Sequence, residues 1–186
     1  MTLMILGLAV WTAAHMLKRL APDLRQSMQD KMGDGSKGVI ALLILASVVL
    51  MVLGYRGADA AVLWDHSALT KGINNLIVLV AVVLFGVGNS KSRLRPKMRH
   101  PMLWGVVLWA AGHVLVNGDV ASLVLFGWLA LWALAEMQLI NRAEPDYAPF
   151  EGGTLAGDIR LGIITLVVYG AIAGVHTWLG YPTFGA

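Results

Sequence analysis

Residues 102–140, MLWGVVLWAAGHVLVNGDVASLVLFGWLALWALAEMQLI, form two long apolar runs separated only by the polar segment Asn117-Gly118-Asp119. A membrane-spanning helix needs about 20 mostly apolar residues. An Asn-Gly-Asp sequence is typical of a tight turn, and Asp119 suits the N-cap position of the second helix. This stretch therefore predicts two antiparallel helices in a membrane, joined by a short turn.

The rest of the chain has the same membrane character. It has 186 residues, of which 58% are hydrophobic and 13% charged, whereas a soluble domain has roughly 25% charged residues. Three of its six apolar runs reach the length of a span alone, and three reach it with flanking residues. The runs are about Thr2–Met16, Gly38–Tyr55, Ile73–Gly88, Met102–Asn117, Val120–Ile140 and Leu161–Tyr181. We therefore predict an all-α, polytopic membrane bundle of six transmembrane helices, with residues 1–186 as one domain and no removable signal peptide.

The basic residues predict the orientation of the chain. Twelve of the 14 lie between runs one and two, three and four, and five and six, and only Arg56 and Lys71 lie elsewhere. By the positive-inside rule those three loops are cytoplasmic and both termini are periplasmic, if the membrane is a bacterial inner membrane. The net charge of +3 then reflects orientation rather than nucleic-acid binding. Within these loops we expect Gly33–Gly38 to be flexible and Ala143–Gly157 to be irregular.

Two similar stretches, Trp11-Thr-Ala-Ala-His15 and Trp109-Ala-Ala-Gly-His113, each place a histidine deep in an apolar run. A polar ring there is costly unless something holds it. Two imidazoles on two helices can hold a haem iron, and at the helical rise these two differ in depth by under about 10 Å. The alternatives are a bond from His113 to a neighbouring helix and a His15 that reaches the headgroups. His176 is a rival partner for His113.

The surroundings of His113 add to the hypothesis of a ligand. Ala110 and Gly112 are small and leave room for a bulky group. A metal-bound imidazole usually donates from its second nitrogen. Asn117, one turn beyond His113, is a candidate acceptor for that bond.

Arg99-His100-Pro101 lies at the cytoplasmic lip of the fourth run. Arg99 and His100 can hold an anionic group, such as a haem propionate or a lipid headgroup. The alternative is a basic flank that only sets the topology. Glu136, near the same interface, is expected to pair with a loop arginine rather than to relay protons.

Several motifs are absent from the chain. It has no cysteine, which excludes a disulfide, an iron–sulfur cluster, a thiolate-ligated haem and a covalently attached haem. It has no Ser/His/Asp order, zinc-ligand spacing or glycine-rich nucleotide motif. The residues therefore leave open whether the protein is an enzyme.

The segment RHPMLWGVVLWAAGHVLVNGDVASLVLFG, residues 99–127, resembles the signature segment of the NnrU family, and WTAAHMLKRLAPDLRQ resembles that family's start. The resemblance implies a role in denitrification, in nitrite and nitric oxide metabolism. The plant relative is 15-cis-zeta-carotene isomerase, an integral membrane enzyme with haem b. Its proposed axial histidines match His15 and His113, and its alternative cysteine ligand falls at Ala110.

Two function classes follow from this resemblance. The first is a haem b protein that is an accessory, sensor or electron-transfer component, with membrane lipid and a respiratory nitrogen-oxide reductase as partners. The second is a haem enzyme that isomerises a hydrophobic polyene. The RHP segment also resembles isoprenylcysteine carboxyl methyltransferases, which bind S-adenosylmethionine, but MQLINRAEPDYAPF after Glu136 lacks their acidic, tyrosine-rich motif. A bundle without a cofactor is the remaining alternative.

Overall fold

The computed structural model describes residues 1–184 and is all α-helical over that range apart from loops, one 3-10 turn and one isolated β-bridge. The seven helices are α1 Thr2–Leu20, α2 Pro22–Met32, α3 Gly35–Arg56, α4 Ala68–Val87, α5 Pro101–Val116, α6 Val120–Ala143 and α7 Leu155–Trp178. The all-α fold class is confirmed. Gly185 and Ala186, and with them the end whose periplasmic location the sequence predicts, lie outside the described residues.

Five of the helices in the described chain, α1, α3, α4, α6 and α7, are long and apolar enough to cross a membrane. The sixth apolar run forms α5, which has only 16 residues and a length of about 24 Å. Pro101 occupies its first turn, and Asn117 is already outside the helix at its other end. The expected six apolar helices are all present, and five of them meet the length of a span.

The short helix α2 was not expected from the sequence. Pro22 begins it and Asp23 lies in its first turn, both of which favour a helix N-terminus. The expected flexible stretch Gly33–Gly38 is mostly the first turn of α3, and only Gly33 and Asp34 separate the two helices. Gly33 makes this reversal possible because its φ of 55° is in the region that favours glycine.

The helices pack as a row of neighbours, in the order α3, α1, α6, α5, α4 and α7. Small residues bring α1 and α3 close together. A Cβ on Gly7 would lie 2.7 Å from the carbonyl oxygen of Ser47, and one on Gly54 would overlap the backbone of Met4. In this arrangement α1 and α5, the helices of the two similar stretches, both pack against α6.

The α5–α6 connection is the tight turn that the sequence predicts. Asp119 is the N-cap of α6, and its carboxylate accepts a hydrogen bond of 2.8 Å from the backbone N–H of Ser122. The Ser122 hydroxyl also lies 2.7 Å from the hydroxyl of Tyr55 on α3. The turn is therefore fixed to the neighbouring helix as well as to α6.

The loop between α3 and α4 crosses this turn and is bound to it through the main chain. The N–H of Leu63 donates to the carbonyl oxygen of Gly118 at 2.6 Å, and that of Val120 donates to Ala61 at 3.1 Å. A Cβ on Gly118 would overlap the carbonyl group of Trp64. Glycine is required here because the two backbones approach so closely.

Candidate functional site

Trp11, His15 and Trp132 form the first cluster, between α1 and α6. The centroid of the His15 ring lies 4.1 Å from that of Trp11 and 4.9 Å from that of Trp132. Nδ1 of His15 lies 2.9 Å from the carbonyl oxygen of Trp11, one turn earlier in the helix. Because a carbonyl oxygen only accepts, Nδ1 carries the proton in the neutral ring, and Nε2 keeps its lone pair.

Trp109, His113 and Phe126 form the second cluster, between α5 and α6. The ring centroid of His113 lies 5.0 Å from that of Trp109 and 4.8 Å from that of Phe126. Nδ1 of His113 lies 2.8 Å from the carbonyl oxygen of Trp109. The local geometry of the first cluster is therefore repeated, with an aromatic residue of α6 again facing the imidazole.

Both histidines have the hydrogen bonding of a prepared metal ligand. A metal-bound imidazole usually donates its second N–H to a carboxylate, a carbonyl oxygen or water. Among residues 1–184, Nε2 of His15 and Nε2 of His113 have no hydrogen-bond partner. Phe126 and Trp132 are six residues apart on α6, which is about 9 Å along the axis. The two histidines therefore contact α6 at different levels along its axis.

His176 keeps its place as the rival partner of His113. Its Nδ1 lies 2.8 Å from the carbonyl oxygen of Ile172, so it has the same local geometry. It lies on α7, which packs against α4, the neighbour of α5. No ring contact joins His15 to His113 within the described chain.

The donor set limits the kinds of metal that fit. In the part of the chain that the structure describes, no three His, Cys, Asp or Glu side chains come close enough to hold a metal ion. An iron bound by two of these imidazoles would therefore need further ligands from a ring such as a porphyrin. That requirement matches two-histidine haem ligation.

Two expectations about the surroundings of His113 are wrong. The Asn117 amide donates to the carbonyl oxygen of His113 at 2.8 Å, and the ring bonds to Trp109 instead, because the helix supplies an acceptor one turn earlier. Gly112 leaves no room for a ligand, because a Cβ there would lie 2.6 Å from Oδ1 of Asn74 on α4. Ala110 is fully buried. Gly112 therefore serves the contact with α4.

A buried ion pair lies one turn from the first cluster, toward the basic end of the bundle. Nη1 of Arg19 lies 2.8 Å from Oε1 of Glu136, and their side chains are 18% and 7% exposed. The expected pairing of Glu136 with an arginine is confirmed. Nε of Arg19, Oε2 of Glu136 and the indole nitrogens of Trp11 and Trp132 are buried without a hydrogen-bond partner in residues 1–184. The first cluster and the adjacent ion pair thus have three unused donors, and Oε2 of Glu136 and Nε2 of His15 are unused acceptors.

Arg99 and His100 lie just before α5, fourteen and thirteen residues before His113, or about 20 Å along the axis. Nε2 of His100 lies 2.8 Å from Oδ1 of Asn141. Arg99 donates to the carbonyl oxygen of Glu144, whose carboxylate lies 3.9 Å from Arg19. The structure therefore places Arg99 and His100 at the basic end of the bundle, away from the second cluster.

Three residues of the site were not identified from the sequence as neighbours of the histidines. These are Trp132, Phe126 and Arg19. Aromatic residues are frequent in run five, and their spacing does not say which of them face α1 or α5. Arg19 carries a usable signal, because it lies four residues after His15 and so on the same face of α1.

Comparison with known proteins gives one match. A model of the family described as NnrU protein matches residues 3–183. No curated protein and no solved structure matches the chain.

Proposed function

The chain belongs to the NnrU family, and from this membership we propose that it is an integral membrane protein that binds haem b, with His15 and His113 as the axial ligands. One observation carries the proposal: both rings donate Nδ1–H to a carbonyl oxygen of their own helix and leave Nε2 free. When bound, iron with two imidazole ligands supplies one-electron transfer.

The residues around the first cluster support the proposal. Trp11 and Trp132 pack against the His15 ring and restrict its rotation. Their indole N–H groups and Nε–H of Arg19 are donors without acceptors. Leaving a buried donor without a hydrogen bond costs free energy. Carboxylates at the edge of a haem are acceptors of the kind that these donors require.

We place this protein in denitrification, as an accessory, sensor or electron-transfer component next to a nitrogen-oxide reductase. The support is family membership alone. The alternative of a polyene isomerase loses support at Ala110, because a fully buried alanine cannot replace a histidine as an iron ligand. If His15 and His113 both hold the iron, the group would supply electron transfer rather than a binding site for a gas.

In this proposal α5 is a sixth span, and both termini are periplasmic in a bacterial inner membrane. The basic ends of α1, α4, α5, α6 and α7 then face the cytoplasm. Reporter fusions after Lys31 and Lys97 are expected to report a cytoplasmic location, and fusions after Ala186 a periplasmic one. A cytoplasmic fusion at the C-terminus would overturn the count of six.

Absorption spectra of the purified protein, oxidised and reduced, test the ligand assignment. His113→Ala is expected to remove the haem bands, and His15→Ala to leave a five-coordinate iron that binds carbon monoxide. His66→Ala is the matched control, because His66 is exposed in a loop, and it should keep the wild-type spectrum.

Two outcomes would contradict the assignment. If His15→Ala and His113→Ala both keep the wild-type spectrum, neither residue is a ligand. If His176→Ala converts the iron to the five-coordinate form and His15→Ala does not, His176 is the partner of His113. Size-exclusion chromatography of each variant shows whether loss of haem reflects loss of fold.

A further inference from the structure

A cavity of about 280 Å³ lies at the basic end of the bundle, apart from both histidine clusters. Arg95, Arg99 and Pro101 line it from the α4–α5 loop and the beginning of α5. Tyr147 and Phe150 line it from the segment between α6 and α7. Two loops that are distant in the sequence therefore build one pocket.

The pocket contains two guanidinium groups without a carboxylate partner. Arg95 donates to the carbonyl oxygen of Ser90 at 3.1 Å, and Arg99 donates to that of Glu144. Neither forms an ion pair within the described residues. Nε of Arg99 is buried and has no partner. Since arginine stays charged in proteins, the pocket holds two positive charges that form no ion pair within the described residues.

Aromatic rings hold both guanidinium groups in place. The Arg95 guanidinium carbon lies 4.0 Å from the ring centroid of Phe150, and that of Arg99 lies 4.8 Å from the ring centroid of Tyr147. Such cation–π contacts fix the plane of a guanidinium. In each guanidinium group, only one nitrogen atom donates to a carbonyl oxygen of the described residues.

The two loops are fixed without any ligand. The Asp158 carboxylate accepts from the Ser92 hydroxyl at 2.8 Å and from the Arg93 backbone N–H at 2.8 Å. The Thr154 N–H donates to the carbonyl oxygen of Lys91 at 2.9 Å. The loop before α5 is therefore bound to the beginning of α7. A pocket ordered in advance loses less entropy when it binds a ligand.

We infer that this pocket binds a phosphate oxyanion, and that its source is the headgroup of an anionic phospholipid. Two arginine forks match the oxygen atoms of a phosphate group. The pocket lies where α4 and α6 end and where α5 and α7 begin, which is headgroup depth for a spanning bundle. A free phosphate ion has the same chemistry and is the other source. The inference does not depend on the haem proposal.

The test measures the thermal unfolding midpoint of the full-length protein after exchange into lipid-free detergent. The probes are dioctanoyl phosphatidylglycerol, dioctanoyl phosphatidylcholine and inorganic phosphate. Phosphatidylglycerol at 100 times its Kd should raise the midpoint by roughly 5–10 °C. Phosphatidylcholine, whose headgroup has no net charge, should raise it by much less.

Three variants show where the effect arises. Arg95→Gln combined with Arg99→Gln should abolish the shift. Lys97→Gln is the matched control, since it removes one charge from the same loop at an exposed side chain outside the cavity, and it should keep the shift. If the double variant does not fold, Arg99→Lys keeps the charge without the fork and should weaken binding about tenfold.

Each possible outcome either supports or overturns the inference. An equal shift in wild type and in the arginine variants would overturn it, as would an equal shift with phosphatidylcholine. A saturable shift with inorganic phosphate that the double variant abolishes would confirm the oxyanion site. If phosphatidylglycerol then gives no larger shift, the source is the free ion.

Discussion

The two histidine clusters have the same local geometry in different surroundings. In each, a tryptophan carbonyl oxygen holds Nδ1 of the histidine four residues later. In the first cluster the facing residue of α6 is Trp132, whose N–H has no partner, and an ion pair lies one turn away. In the second cluster the facing residue is the apolar Phe126. The W-x-x-x-H motif thus fixes the orientation of the imidazole ring. Tertiary packing determines how polar the surroundings of that ring are.

The largest effect on stability is expected from breaking the ion pair of Arg19 and Glu136, which lies beside the first cluster and has no counterpart beside the second among the described residues. Glu136→Gln leaves the mostly buried charge of Arg19 without its close partner, and breaking a buried pair costs about 3–5 kcal/mol. We expect a loss of about 3 kcal/mol in the free energy of unfolding, because the amide oxygen still accepts one hydrogen bond. Unfolding in mixed detergent and SDS micelles, followed by circular dichroism, measures this loss.

Glu144→Gln is the matched control for that measurement. Its carboxylate lies 3.9 Å from Arg19, and its side chain is 57% exposed. Exposed pairs contribute little, so the change should be at most about 0.5 kcal/mol. Equal losses in both variants would mean that the first cluster has no special dependence on Glu136.

The next effect is at Gly112, beside the second cluster, where α5 packs tightly on α4. Gly112→Ala would bring a Cβ to 2.6 Å from Oδ1 of Asn74, and such overpacking costs about 1–3 kcal/mol. Gly127→Ala on α6 is the control, because a Cβ there meets nothing within 4 Å. The control should be neutral or stabilised by up to about 1 kcal/mol. A Gly112→Ala variant as stable as the control would show that Asn74 moves aside at no cost.

The smallest effect is expected from a substitution that makes the first cluster resemble the second. Trp132→Phe removes a buried N–H that has no partner and also some packing area, so the two changes oppose each other. We expect the stability of the ligand-free protein to change by less than about 1 kcal/mol in thermal unfolding. A loss of haem from this variant without a loss of stability would show that a bound group uses the indole N–H. Phe126→Leu, which removes no donor, controls for the loss of a ring.

Most of the fold, and the histidines around which the site is built, could be predicted from the amino-acid sequence. Apolar runs and the Asn-Gly-Asp turn predicted the long helices and the Asp119 cap, because both depend on local composition. The helix α2 could not be predicted from apolar runs because it is polar, although Pro22 marks its start. The ring partners Trp132 and Phe126 depend on how α6 is rotated against α1 and α5, which only packing decides. The stacking of Tyr147 and Phe150 on Arg99 and Arg95 also joins residues that are far apart in the sequence, so it could not be predicted either.

The main-chain bonds between the α3–α4 loop and the α5–α6 turn constrain how this protein is made. Leu63 and Ala61 leave the ribosome more than fifty residues before their partners Gly118 and Val120. Until those partners arrive at the translocon, this loop has no acceptor or donor there and must remain hydrated on its side of the membrane. The helices α3 and α4 therefore wait for the beginning of α6 before hydrogen bonds fix their connection. Closure of the loop over Gly118 should be a cooperative step that follows synthesis of the α5–α6 turn.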